Sequence, residues 1–397
     1  MTDRDSAFQE LAAKYETLTG VKVNFELYAP SDAYSQKIRA AAQGVNLPDI
    51  FGILGEKRDF GSFIRAGHIL DITSYMEANN SAWKNRFFSK ALAVNEFGAG
   101  NSYGIKPGVY GVPIDIMTIQ MVYNKKLFKQ LGLNPAQPPR NFQDFLDIGK
   151  KIKDAGMQGL VSGWGEVWMV DCFANNYAFN IMGKDKVLAT IRGDVPYTDP
   201  DWIKVLYLFK QMKESGVLAN GVVTMINKSA EQLFANEKAV FAFNGSWCVN
   251  VYKGMNPGLE YGAMLPPEVP GRYPIAIWGG AGSSFMVNAR SKNKEEAVKF
   301  LDWLTDQDQQ AYLSQATNNL PANKNSLSKI PAILAQFSRG MDYATHPNVW
   351  GVSEFSAVIE AWDRGLQSII IGEKTPEQVA SDVQKIKERE LAKKRAK

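Results

Sequence analysis

Three of the nine tryptophans in this 397-residue chain share a setting that could do chemistry. Trp164, Trp247 and Trp278 each follow a short apolar, strand-like run and sit among glycines. Trp202 and Trp303 instead fall inside apolar helical patterns, where an indole is core. Open α/β sheets bind ligands at strand ends. An indole placed there can cover the C–H face of a pyranose ring, while carboxylates, amides and Arg at its edge hold the hydroxyls. The competing reading for each ring is packing beneath a loop. Trp350, after Pro347-Asn348-Val349, belongs to the same group.

The carboxylates carry less information. Glu56, Asp115, Glu166 and Glu354 could supply the two acids of glycoside hydrolysis, but spacing along the chain selects no pair among them. The polar run Gly55-Glu56-Lys57-Arg58-Asp59 follows an apolar stretch at 50–54. It reads either as a ligand-facing loop or as a solvated turn that caps the next helix. Asp115 lies two residues past Pro113 in an apolar run at 114–122. A carboxylate is costly in a sealed core, so this position fits a strand passing a water-filled cleft.

Other chemistries find little support. The two histidines, His68 and His346, lie in unrelated contexts, which argues against a Ser-His-Asp triad and excludes a multi-histidine metal site. GxSxG, HExxH and GxxxxGK[ST] are absent, and Gly279-Gly280-Ala281-Gly282 is not a dinucleotide fingerprint. No catalytic residue, metal or cofactor is therefore expected. Cys172 and Cys248 lack CxxC or Cys/His spacing and read as buried free thiols or, alternatively, as a disulfide.

These residues must be positioned by a chain long enough for two domains, with 45% hydrophobic and 22% charged residues. The formal charge of +4 resides in residues 385–397, where seven Lys or Arg face two Glu. The rest is near neutral, the tail reads as a solvated helix end, and no nucleic-acid partner is implied. No apolar run approaches the roughly 20 residues of a membrane span, and the polar N-terminus lacks a secretory signal. Periodicity predicts helices at 8–18 and 31–43, with strands at 21–27 and 50–54 completing a parallel β-α-β unit. The run 109–128 reads as a strand leaving one domain, a hinge punctuated by Gly111 and Pro113, and a buried strand that hands over to a helix beginning the second. Further helices start at the caps Asn141, Asp199-Pro200 and Thr375, and strands are expected at 159–162, 239–243, 275–278 and 284–287.

Five stretches taken together, LPDIFGI at 47–53, VPIDIMTIQMVYNKKLF at 112–128, FANEKAVFAFNGSW at 234–247, GGAGSSFMVNARSKNKEEAVKFLDWLT at 279–305 and LPAN at 320–323, resemble extracellular solute-binding proteins of family 1. These are the sugar-binding components of bacterial ABC importers, related to maltose-binding protein. The resemblance implies an α/β, type II periplasmic-binding-protein fold. Residues 1–111 and 279–320 would form one lobe, and 112–278 and 321–397 the other, with hinges near 111–117, 276–283 and 317–324. It implies a monomeric, non-enzymatic receptor, periplasmic or extracellular and lipid-anchored in some members. Its lobes would close on a carbohydrate and present it to ABC permease membrane subunits. By position, Trp247 matches a stacking tryptophan, Trp350 a C-terminal aromatic, and Arg58 and Asp59 a hydroxyl-binding pair. The family's acidic hinge residue aligns to Met117, with Asp115 nearby. Members begin with an aromatic-rich strand before the first helix, whereas here the helix starts almost at Met1, so that strand and a leader are expected to be missing. The ligand-binding set expected is thus Glu56, Arg58, Asp59, Asp115, Trp164, Trp247, Trp278 and Trp350. The alternatives are a binder of another small solute, such as a polyol phosphate or a metal chelate, and a glycoside-active enzyme.

Overall fold

The computed structural model describes residues 4–28, 31–44, 46–53, 57–166, 168–271 and 273–396. The chain divides into two compact units, residues 1–117 with 279–341 and residues 118–278 with 342–397. The described residues form the strands β1 (Ile50–Phe51), β2 (Glu96–Phe97), β3 (Gly108–Val109), β4 (Val112–Asn124), β5 (Gln158–Val161), β6 (Ala239–Gly245), β7 (Tyr261–Met264), β8 (Ile277–Val287), β9 (Leu320–Pro321) and β10 (Ala344–Thr345). Two of the three divisions fall inside β4 and β8, which therefore run from one unit into the other.

In the first unit β1 pairs antiparallel with β8, Ile50 opposite Val287, and β9 pairs antiparallel with β4, Asp115 opposite Pro321. The antiparallel β1 corrects the expected parallel β-α-β unit. Residues 21–28 alternate as expected but join no strand. Phe25 instead stacks on Phe8 of the helix Asp5–Thr19, centroids 4.9 Å apart, so packing rather than a ladder uses that alternation. The pairing of Leu320–Pro321 with β4 also explains why the segment after 320 stays with the first unit up to Met341. The core of this unit gathers Ile38, Phe51, Phe60, Phe97, Tyr110 and Met286.

The glycine run 279–282 is not a loop between two strands but lies inside β8. The reason is close approach: a Cβ on Gly282 would come 2.6 Å from Asp115 Oδ1. A side chain there would crowd the Asp115 carboxylate, so glycine leaves room for it within an otherwise regular strand.

The second unit is built on the far half of β4, with β6 antiparallel on one side and β7 antiparallel on the other; β5 joins β6 in parallel. Helices cover this sheet. Asn141 Oδ1 accepts from Asp144 N at 2.8 Å to start Phe142–Asp154, Asp199 caps Pro200–Ser215, and Thr375 and Gln378 form a capping box at Pro376–Arg395. Their apolar stripes and both faces of β6 meet in one core that includes Phe145, Phe173, Phe209, Phe241, Phe243 and Leu366. Cys172 and Cys248 are buried free thiols.

An acid buried in this core makes stability depend on pH. Asp363, on the helix Ser356–Ile371, is 2% exposed, and no donor among the described residues reaches its Oδ1. Burial, and then the charge of Asp171, hold its carboxyl above the ordinary range; Arg364 opposes the shift and Glu360 adds to it. The folded state therefore keeps a proton that the unfolded chain has released. The contribution is complete below the unfolded pKa of about 4 and is lost as pH rises through the raised folded value. Asp363→Asn removes this titration. We expect thermal melts at pH 8 to show the variant more stable than wild type, by about 2–4 °C per kcal/mol relieved, with the difference vanishing near pH 4.

Candidate functional site

The residues singled out from the sequence do not share one environment. Arg58 and Asp59 occupy the first turn of the helix Lys57–Arg65 in the first unit. Arg58 is exposed, and Asp59 lies 3.6 Å from Arg39. Lys57 points inward and donates to the carbonyls of Val94 and Glu96, at 2.5 and 2.7 Å, with Phe97 beneath it. Burial lowers its pKa to about 7. Glu56 lies outside the described residues.

Asp115 is 3% exposed and is paired with the Arg4 guanidinium, which also donates to Ser283 Oγ at 3.2 Å. The expectation that Asp115 borders a water-filled cleft is therefore replaced. Its charge is compensated by an ion pair within the first unit, as a buried carboxylate requires.

Trp164 is also corrected. It is fully buried in the second unit, with Phe173 and Phe209 at ring distances of 5.3 and 5.9 Å. The glycines beside it serve backbone contact: a Cβ on Gly165 would lie 2.8 Å from the Thr224 carbonyl carbon. In sequence its surroundings look like those of Trp247, and nothing local separates the two.

Trp247 and Trp168 form the feature best suited to a ligand. Trp247 is half-buried at the start of the helix Cys248–Met255, immediately after β6, and Trp168 is 40% exposed at the start of the helix Trp168–Arg192. Their ring centroids are 6.3 Å apart at 45°. Trp168 was not among the residues expected from sequence; the signal available was its place two residues after Glu166 at the end of the glycine-rich turn. Around this pair, Glu231 is 7% exposed and its Oε1 accepts from Asn227 Nδ2 and Asn244 Nδ2, both at 3.0 Å. Burial holds the Glu231 pKa above its ordinary value, and the neighbouring Asn244, Asn227 and Trp247 side chains oppose that shift. Exposed Glu166 accepts from Asn227 N at 3.1 Å.

Trp278 and Trp350 make a second aromatic group in the same unit. Their centroids are 6.3 Å apart and nearly perpendicular, with His346 6.2 Å from Trp278 and Phe179 5.4 Å from Trp350. Thr345, paired with Trp278 in the β8–β10 register, accepts from Trp350 Nε1 at 2.8 Å. Both indoles are half-buried, and Trp278 Nε1 is enclosed without a hydrogen-bond partner among the described residues.

The described residues contain no group of three or more His, Cys, Asp or Glu placed to hold a metal ion, and no described helix is long and apolar enough to cross a membrane. The model of the bacterial extracellular solute-binding protein family matches residues 1–311, and the chain belongs to that family. A binding protein of Brucella abortus (strain 2308) is 26% identical over 392 residues, covering 94% of this chain and 87% of that protein. The galactooligosaccharide-binding protein of Bacillus subtilis (strain 168) is 24% identical over 277 residues, 68% of this chain and 63% of its own. Among solved structures, a chitin oligosaccharide binding protein superposes with a TM-score of 0.75 at 23% identity, covering 97% of this chain and 95% of that one. The fold is the two-lobed, type II periplasmic-binding fold.

The packing of Trp247 is testable directly. A Cβ on Gly245 would lie 1.9 Å from its ring, so the indole rests flat on the end of β6. Gly245→Ala should displace the ring and leave the sheet in place. The expected result is a shifted tryptophan emission maximum and stronger acrylamide quenching, with a far-UV circular dichroism spectrum like that of wild type.

Proposed function

We propose that the protein is a solute receptor of a bacterial ABC importer and that its solute is a sugar or oligosaccharide. The reading rests on one observation above the others: two partly exposed indoles, Trp168 and Trp247, stand side by side, with the exposed carboxylate of Glu166, bonded to Asn227 N, two residues before Trp168. Flat apolar faces beside acceptors and donors match the alternation of C–H and O–H surface on a pyranose. Trp278 and Trp350 offer a second such surface, suited to a further sugar ring. Trp164 and Asp115, sealed by their own partners, are not part of this reading.

Family membership supports capture rather than chemistry, so the protein binds its solute and releases it unchanged. Its partners are the permease subunits of the importer, and its place is outside the cytoplasmic membrane, where a lipid anchor would hold it near them.

Calorimetric titration with a panel of neutral oligosaccharides should give saturable one-to-one binding with no new reducing ends after prolonged incubation. Trp247→Ala should weaken that binding about fivefold or more, corresponding to roughly 1 kcal/mol for a stacking ring. Release of reducing ends would point to a glycoside-active enzyme instead. Binding of a polyol phosphate that collapses with rising salt, with no response to any sugar, would replace the solute class.

A further inference from the structure

We propose that the exposed face of the C-terminal helix pair, Ser356–Ile371 and Pro376–Arg395, is an electrostatic docking surface for anionic phospholipid headgroups. The docking rests on the charge pattern alone; its use, holding the receptor beside the importer, rests on the proposed function.

Charge is unevenly placed along the chain. In residues 385–397 seven Lys or Arg face two Glu, so this tail alone carries more positive charge than the +4 of the entire protein. One of the seven is used inside: Lys387 is 2% exposed and bound to Glu354. The rest of the described ones face solvent. Lys385, Arg389 and Lys393 are exposed and recur every four residues, which sets them in one row along the helix. Exposed Arg364, on the neighbouring helix, lines the same open groove as Arg389 and Lys393, and Lys394 and Arg395 extend the row at the helix end. Local pairing offsets part of this charge, since Lys393 lies 2.6 Å from Glu390 and Lys385 3.7 Å from Asp382. Arg389, Lys394 and Arg395 form no ion pair among the described residues. The helix dipole accounts only for the end of the row, because its effect fades within the last turn. Arg389 lies more than a turn further back, Lys385 further still, and Arg364 belongs to another helix.

Such a row fits a fluid anionic surface better than a protein. A protein partner needs an apolar anchor at the centre of its contact. The groove offers only two alanines and Ile386, with Glu360 and Glu390 held among the cations. Headgroups need no anchor. Anionic ones gather against the cations and leave the two acids to neutral neighbours, and each Lys or Arg near such a surface strengthens attachment roughly fivefold.

The experiment sediments the full chain, without sugar, with vesicles of phosphatidylcholine alone or with about a third phosphatidylglycerol. At about 50 mM salt the protein should pellet with the anionic vesicles and stay in solution with the neutral ones. At about 500 mM salt that binding should fall about tenfold or more, because added ions screen exposed charge. Arg389→Gln, Lys394→Gln and Arg395→Gln combined should weaken binding to the anionic vesicles about twentyfold or more. Lys150→Gln, Lys151→Gln and Lys153→Gln, exposed on the helix Phe142–Asp154, remove the same charge elsewhere and should change it by about twofold at most. Arg364→Gln alone should weaken it several-fold and decides the matter should the triple tail variant fail to fold. Equal retention on both kinds of vesicle, no retention at low salt, or equal losses in the tail and control variants overturns the proposal. Capture by immobilised polyglutamate with none by anionic vesicles also overturns it and makes the face a protein site. Because no sugar is present, a failure to bind carbohydrate removes the solute reading and leaves these results standing.

Discussion

The ladder between Ile119–Tyr123 of β4 and Phe241–Gly245 of β6 is the constraint on which the placement of Trp247 in the second unit depends. It sets Gly245 opposite Ile119, and Ser246 N then donates to Thr118 O at 2.9 Å, so the register carries past the strand end to Trp247. Both faces of β6 are buried, which removes the usual penalty for a one-residue slip, in which the apolar face is turned to water. Polar groups must then fix the register. Asn244 finds Glu231 on the Asn227–Ala235 helix, and Ser162 Oγ donates to Phe243 O at 2.9 Å. A slip by one residue would strand each of them in an apolar core at a cost of about 1–3 kcal/mol apiece. These bonds therefore specify the strand pairing that delivers the indole.

Three buried acids of this unit show three answers to one problem. Glu354 is neutralised by Lys387, whose Nζ lies 2.7 Å from both carboxylate oxygens and also donates to Ile191 O, while Tyr197 donates to Glu354 Oε2. Asp363 has Asp171 nearby and is held toward its protonated form. Glu231 has neither a described counter-ion nor a comparable upward push, because neutral N–H donors hold it. Only the third arrangement rests on amide donors alone, whose directions are defined, whereas a lysine ion pair fixes distance more than orientation.

Much of the architecture was legible because it is written in local rules. The caps at Asn141, Asp199 and Thr375, the glycine stops after the first helices and the apolar run of β4 all landed where their chemistry placed them. What failed was non-local. Residues 21–27 alternate like a strand, yet nothing in that stretch says whether a partner strand is at hand. Gly279 to Gly282 look like a loop until the closeness of Asp115 shows why a strand would use glycine. Asp115 itself was judged by its apolar neighbours, whereas its partner, Arg4, is more than a hundred residues away. The tryptophans repeat the lesson: Trp164 and Trp247 both follow a buried strand beside glycine, and only tertiary packing makes one core and the other surface.

That distinction bears on how a ring becomes useful for binding. Stacking on an aromatic is worth about 0.5–1.5 kcal/mol beyond its buried area, and immobilising a side chain on binding costs about 0.5–1.5 kcal/mol. A freely rotating indole would thus lose in ordering what it gains in contact. At Trp247 the ring is already seated, flat against the backbone of Gly245. Its ordering is completed when the chain folds, at the expense of a position closed to every side chain but hydrogen. The stacking energy of any ring laid on it would then be free to appear as affinity.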